Sequence, residues 1–167
     1  FLGVRSCELH AIAIQDRVFT GGPYVDPVYK ARRSNAFIIA VNCAQSASTC
    51  FCTSMNTGPK CSSGFDLALT ELEDGFEVES GSDIGAAVLG RLTTQSLTAE
   101  HSTMAAAARQ QAVDQQTKQL NTEGIRDLLL GNLDHPRWKD VGDICLGCTN
   151  CTMVCPTCFC SSVEEVS

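Results

Sequence analysis

Cysteine is the residue type here whose number and spacing can do chemistry. Eleven stand among 167 residues, in two knots: Cys7, Cys43, Cys50, Cys52 and Cys61, then Cys145, Cys148, Cys151, Cys155, Cys158 and Cys160. Residues 62–144 contain none. The second knot reads Cys145-Leu-Gly-Cys148-Thr-Asn-Cys151-Thr-Met-Val-Cys155-Pro156, which fits C-x₂-C-x₂-C-x₃-C-P without a gap. That is the bacterial ferredoxin run for a [4Fe–4S] cluster. Three thiolates at two-residue gaps wrap three corners of the cube, and the intervening backbone N–H groups offset its negative charge. The next helix is expected after the Cys-Pro. Zinc is the alternative. It more often takes two C-x₂-C pairs across a longer loop, which lets four sulfurs reach tetrahedral corners.

In two-cluster ferredoxins the fourth cysteine of such a run serves the other cluster. Cys145, Cys148 and Cys151 then need a fourth ligand, and Cys155 belongs to a second site. The partner run is expected beyond Ser167, with Cys158 or Cys160 as substitutes. Phe1 in place of Met, and a cysteine run so near the last residue, are read as signs of a piece of a longer chain.

The first knot depends on the fold. Cys7 and Cys43 each follow a strand-like stretch, Leu2–Val4 and Phe37–Val41. If those strands are parallel neighbours, both cysteines emerge at the carboxyl edge of the sheet, where α/β proteins place ligands. Cys50 and Cys52 follow on the next loop, which makes Cys7, Cys43, Cys50 and Cys52 a candidate four-thiolate site. The competing readings are small buried hydrophobes at Cys7 and Cys43, or a redox pair at Cys50 and Cys52, for which C-x-C is strained. Cys61 is read as structural. His10 lies one helical turn from Cys7 and is read as satisfied or exposed; His101 and His135 look structural.

The elements that must position these residues follow from pattern. Glu8 to Phe19 is apolar-periodic and reads as a helix, broken at Gly21-Gly22-Pro23. Asp26-Pro27 caps a short helix through Arg33. Phe37–Val41 is a strand buried on both faces. Asp74-Gly75 signals a hairpin between Phe65–Leu72 and Phe76–Glu79. Leu97 to Leu120 lacks Gly and Pro and reads as one helix, with Met104, Ala108, Ala112 and Leu120 as a thin apolar stripe. Helices are also expected from Thr122 to Leu130 and from Asp134 into the second knot. The fold class is therefore α+β: an α/β-like region with a mixed sheet over 1–95, a helical connector over 96–140, and the first half of a ferredoxin-type domain over 141–167.

Composition excludes several functions. The chain is 44% hydrophobic and 19% charged, too apolar for disorder. Its longest apolar run, Ala36 to Val41, is far below the roughly 18 residues of a membrane span. Twelve basic against nineteen acidic residues give a net charge of −7, which argues against a nucleic-acid partner. The cluster Lys30, Arg32 and Arg33 reads as a solvated helix face. No export signal, P-loop, G-x-S-x-G or G-x-G-x-x-G is present, so no catalytic residue is assigned. Clustered thiols without an export signal imply a reducing, cytoplasmic setting.

Ordered segments along nearly the whole chain resemble the β subunit of sulfhydrogenase and the corresponding iron–sulfur subunit of anaerobic sulfite reductase. They are Gly3-Val4-Arg5-Ser6-Cys7-Glu8-Leu9-His10-Ala11-Ile12, Asp26-Pro27 through Arg32-Arg33, Val41-Asn42-Cys43, Cys50-Phe51-Cys52-Thr53-Ser54-Met55 with Gly58-Pro59, Phe65 through Glu71, and Cys145 through Cys160. The family commonly carries Pro where this chain has Ser6. The resemblance implies an iron–sulfur electron-transfer subunit, with [4Fe–4S] clusters at the C-terminal run and at Cys7, Cys43, Cys50 and Cys52. It leaves open whether Glu8 replaces one thiolate. It further implies a partner subunit that binds FAD and NAD(P), and a catalytic subunit of hydrogenase or sulfite reductase type. A zinc-stabilised scaffold without a redox role is the alternative.

Overall fold

The computed structural model describes residues 1–158, so Cys160 lies outside the described residues. Four strands form one mixed sheet in the order β1 (Leu2–Val4), β2 (Ile39–Val41), β3 (Leu67–Leu72), β4 (Gly75–Ser80). β1 and β3 both run parallel to β2, and β4 is antiparallel to β3. Seven helices accompany them among the described residues, which makes the fold α+β.

Local sequence explains the helix boundaries. α1 (Ser6–Thr20) ends at Gly21, and α2 (Pro27–Ser34) opens on Asp26, whose carboxylate accepts from the N–H groups of Val28 and Tyr29. The two helices meet through Asp16, which accepts from the Tyr29 hydroxyl at 2.7 Å and pairs with Arg33 Nε at 3.1 Å. Burial and the Asp16 carboxylate together push the Tyr29 phenol up to about 12. Arg33 thus has a defined role beyond a solvated face.

β2 is the central apolar strand, with Ala40 buried in it and Ile38 buried just before it. The core cluster joins them to Leu9 of α1, to Cys61 and Phe65, and to Ala68 of β3. The hairpin turns one residue earlier than Asp74-Gly75 predicts. Leu72 pairs with Gly75, so the loop residues are Glu73 and Asp74. Ala68 and Thr70 share one face of β3 and Leu67 the other, and all three are buried, so the strand is covered on both faces at its start.

Two helices differ from their sequence expectation. α3 (Asp83–Leu89), capped by Ser82, is not signalled by periodicity. It lies so close to the sheet that a Cβ on Gly85 would overlap the Asp66 carbonyl. α4 is Ala99–Asp114, shorter than Leu97–Leu120, and its fully buried residues are Ala105 and Ala112. It packs on β3 and β4, with Arg109 Nη1 donating to Glu77 Oε2 at 2.7 Å and to Thr70 Oγ1 at 3.1 Å. The compact unit holding the sheet therefore extends through Leu120.

A second unit begins at Asn121 and contains α5 (Ile125–Leu130), α6 (Arg137–Ile144) and α7 (Asn150–Val154). None of its described residues is buried. No helix among the described residues is long and apolar enough to cross a membrane. Replacing Gly85 by Ala is expected to destabilise the first unit by about 3 kcal/mol, because the obstacle is backbone rather than a movable side chain. A lower urea midpoint at unchanged slope in equilibrium unfolding checks this.

Candidate metal centre

β1 and β2 are parallel neighbours, so Cys7 and Cys43 leave the sheet at the same edge. Cys7 lies in the first turn of α1, and Cys43 follows β2 by two residues. The Cys43 N–H donates to the Pro59 carbonyl at 3.3 Å. Gly58, joined to Pro59 by a cis peptide, lies between the two halves of the site. A Cβ there would come within 3.2 Å of Cys52 Sγ and 3.3 Å of Ser6 Cβ. A larger residue there would require Cys52 or Ser6 to give way by a few tenths of an ångström.

The thiols also report their proximity electrostatically. Burial pushes the Cys7 thiol up, and Glu8, Cys52 and Cys43 add to the effect. Burial raises Cys43 too, as do Cys52 and Cys50; Arg5, with Nη1 3.9 Å from Cys43 Sγ, opposes the rise. Cys7, Cys43 and Cys52 thus lie within electrostatic reach of one another and Cys50 within reach of Cys43, and none forms a disulfide. Four thiols from three separate segments form a soft donor set that suits iron–sulfur or zinc. They are gathered rather than closed: among the described residues no three Cys, His, Asp or Glu side chains stand in metal-ligating arrangement.

Glu8 turns its carboxylate back to the Arg5 N–H at 2.6 Å, and so completes the helix N-terminus. His10 is exposed beside a small cleft lined by Ser62 and Gly64. Cys61 is buried, and burial followed by Cys43 pushes its thiol up to about 11.

Two contributors carry no motif signal. Ser6 is buried and donates to the Lys60 carbonyl at 2.9 Å, which holds the start of α1 to the segment after Gly58-Pro59. Gln116, just past α4, reaches Cys52 and Thr53. It stands in a glutamine-rich stretch where nothing in the sequence sets it apart.

In the second unit, Cys145 follows α6, Cys148 lies on the loop, Cys151 is in α7, and Cys155 closes that helix. The Gly147 N–H points at Cys145 Sγ at 3.4 Å, an N–H···S contact of the kind the ferredoxin run predicts. A short helix, Asn150–Val154, contains Cys151 and runs up to Cys155, while the helix expected after the Cys-Pro falls largely on residues outside those described. Thr149, in a left-handed conformation, precedes the helix, and the three-residue spacing from Cys151 to Cys155 lets its last turn continue to Cys155. Hydrogen bonding to Thr157 lowers the Cys155 thiol, with Sγ 2.9 Å from its hydroxyl.

These environments order the thiols by reactivity, because the thiolate is the nucleophile. In metal-free protein at about pH 8, iodoacetamide is expected to label Cys155 early and Cys61 last. Cys61 labelling should rise as the pH approaches about 11, where its thiolate forms. Peptide mass spectrometry over a pH series checks the order, and equal rates at neutral pH would contradict the burial of Cys61.

Comparison with curated proteins finds Sulfhydrogenase 2 subunit beta of Pyrococcus furiosus, 38% identical over 163 residues. The match covers 96% of this chain and 48% of the relative, so the chain spans about half the length of the protein it matches. No family profile matches the chain, and no solved structure does. With that identity sustained over nearly all of its residues, the chain is similar to about half of a sulfhydrogenase β subunit.

Proposed function

We propose that this chain is an iron–sulfur electron-transfer subunit of a hydrogenase-type complex. The gathering of Cys7, Cys43, Cys50 and Cys52 at one edge of the sheet carries the reading. Cys7, Cys43, Cys50 and Cys52 would hold one [4Fe–4S] cluster. Cys145, Cys148 and Cys151 would hold another, with Cys155 on that cluster or on a further one. When bound, such clusters store and pass single electrons.

This chain's own residues supply the environment. Arg5 offsets negative charge beside Cys43, Gly58 admits Cys52 to the site, and Ser6 keeps Cys7 at its edge. Deprotonation of thiols raised by burial accompanies loading, so metal uptake releases protons and strengthens with pH.

The electrons would pass between a subunit binding FAD and NAD(P) and a catalytic subunit of hydrogenase or sulfite reductase type, in the cytoplasm. The relative's name, a β subunit, supports membership of a complex of several chains. The exposed Trp138, Val141 and Ile144 of α6 support it as well, since apolar side chains at helical spacing suit a partner surface.

Protein purified without oxygen is expected to contain about four irons and four sulfides per occupied site, and about eight of each if both knots are filled. Cys43→Ser should remove roughly half of the iron while sparing the C-terminal cluster. Iron and acid-labile sulfide analysis, with EPR after reduction, checks both. Zinc without sulfide in protein kept anaerobic would overturn the redox reading and leave a zinc-stabilised scaffold.

A further inference from the structure

The buried carboxamide of Gln116 divides its work between the two sides of the cysteine loop. Oε1 accepts from the Thr53 N–H at 3.2 Å and from its hydroxyl at 3.0 Å. Nε2 donates to Cys52 Sγ at 3.3 Å, to Ser46 Oγ at 3.3 Å and to the Ala112 carbonyl at 3.2 Å. Neighbouring bonds complete a clasp between the end of α4 and residues 46–54. The Ser46 N–H donates to Gln115 Oε1 at 2.8 Å, Ser46 Oγ donates to the Ala112 carbonyl at 2.6 Å, and the Leu120 N–H donates to Ser54 Oγ at 3.1 Å.

The orientation of the carboxamide suits a sulfur that serves as a ligand. A neutral Cys52 thiol can donate to Oε1, 3.6 Å away, or accept from Nε2. A ligating sulfur carries no proton and can only accept. Oε1 then stays bonded to Thr53, and the Nε2 contact becomes a charge-assisted bond. No buried acceptor is orphaned by the change.

We infer that Gln116 is a positioning residue of the N-terminal sulfur site, whose N–H donates to the ligating Cys52 sulfur and draws negative charge from it. The inference rests on the cluster reading above. Hydrogen bonds to cluster sulfurs are among the determinants of reduction potential. A donor favours the more negative, reduced state, so Gln116 raises the potential.

The test uses the full chain carrying Cys145→Ser, Cys148→Ser and Cys151→Ser, loaded anaerobically with iron and sulfide. In this parent, Gln116→Met is expected to keep the native circular dichroism. Its one-electron reduction equilibrium should become about tenfold less favourable, a fall of roughly 59 mV. Gln116→Glu keeps an acceptor for Thr53 but offers no donor to sulfur, and should lower the potential at least as far. Ser54→Ala loosens the clasp without touching Gln116 or Cys52 and should leave the potential in place. Folded Gln116 variants with the parent's potential would overturn the inference, as would an equal shift in Ser54→Ala. Failure of both Gln116 variants to fold, with Ser54→Ala folded, would reduce Gln116 to a structural part and overturn it too. A parent that takes up no iron would refute the cluster reading itself, a result distinct from these.

Discussion

Asn42 is buried at the point where β2 runs out, and its side chain is held from both sides. Nδ2 donates to Thr70 Oγ1 on β3 at 2.9 Å, and Oδ1 accepts from the Cys61 N–H at 2.7 Å. Its own N–H donates to the Leu69 carbonyl at 2.8 Å. These three bonds set the direction in which the chain leaves the sheet, and the next residue is Cys43. The Thr70 hydroxyl also accepts from Arg109 of α4, which pairs with Glu77 on β4. One buried network therefore joins three strands, a helix and the Cys61 segment beside the thiol site. Such a network stabilises a fold when every member is satisfied, and among the described residues no buried side-chain nitrogen or oxygen lacks a partner.

The thiols present the opposite electrostatic problem. Cys7 and Cys43 resist ionisation, because desolvation and the neighbouring sulfurs both disfavour their thiolates. The chain answers with single, local devices: the Arg5 guanidinium beside Cys43 and the Gln116 amide beside Cys52. The overall charge of −7 offers no general positive field. Because these two devices act on different sulfurs, the site is asymmetric.

Much of this is legible in the residues. Alternation of apolar stretches with capped helices points to the mixed sheet, and Asp26-Pro27 marks the start of α2 because its cap is built from adjacent residues. The residues make a shared edge for Cys7 and Cys43 conditional on parallel pairing of their two short strands, and β1 and β2 do pair in parallel. The contributions of Ser6, Asn42 and Gln116 are not legible. Their partners stand 54, 28 and 64 residues away in sequence, at Lys60, Thr70 and Cys52. Small polar side chains give no periodic signal of such contacts. α4 is shorter than its composition suggests for a related reason. Residues 115–120 have helix-forming composition, but Gln115, Gln116 and Leu120 bond to the cysteine loop.

The small-residue face of α4 also bears on the order in which the protein is made. Ala105 and Ala112 let the helix lie close enough for Gln116 to reach Cys52, so the wall of the site comes from the far end of the unit. During synthesis the four cysteines leave the ribosome first and remain without that wall until about residue 120 has followed. A nascent chain thus exposes a loosely held set of thiols for several seconds at ordinary elongation rates. The cysteine loop therefore gains its wall only once α4 has docked, so the order of synthesis places the loop well before its support.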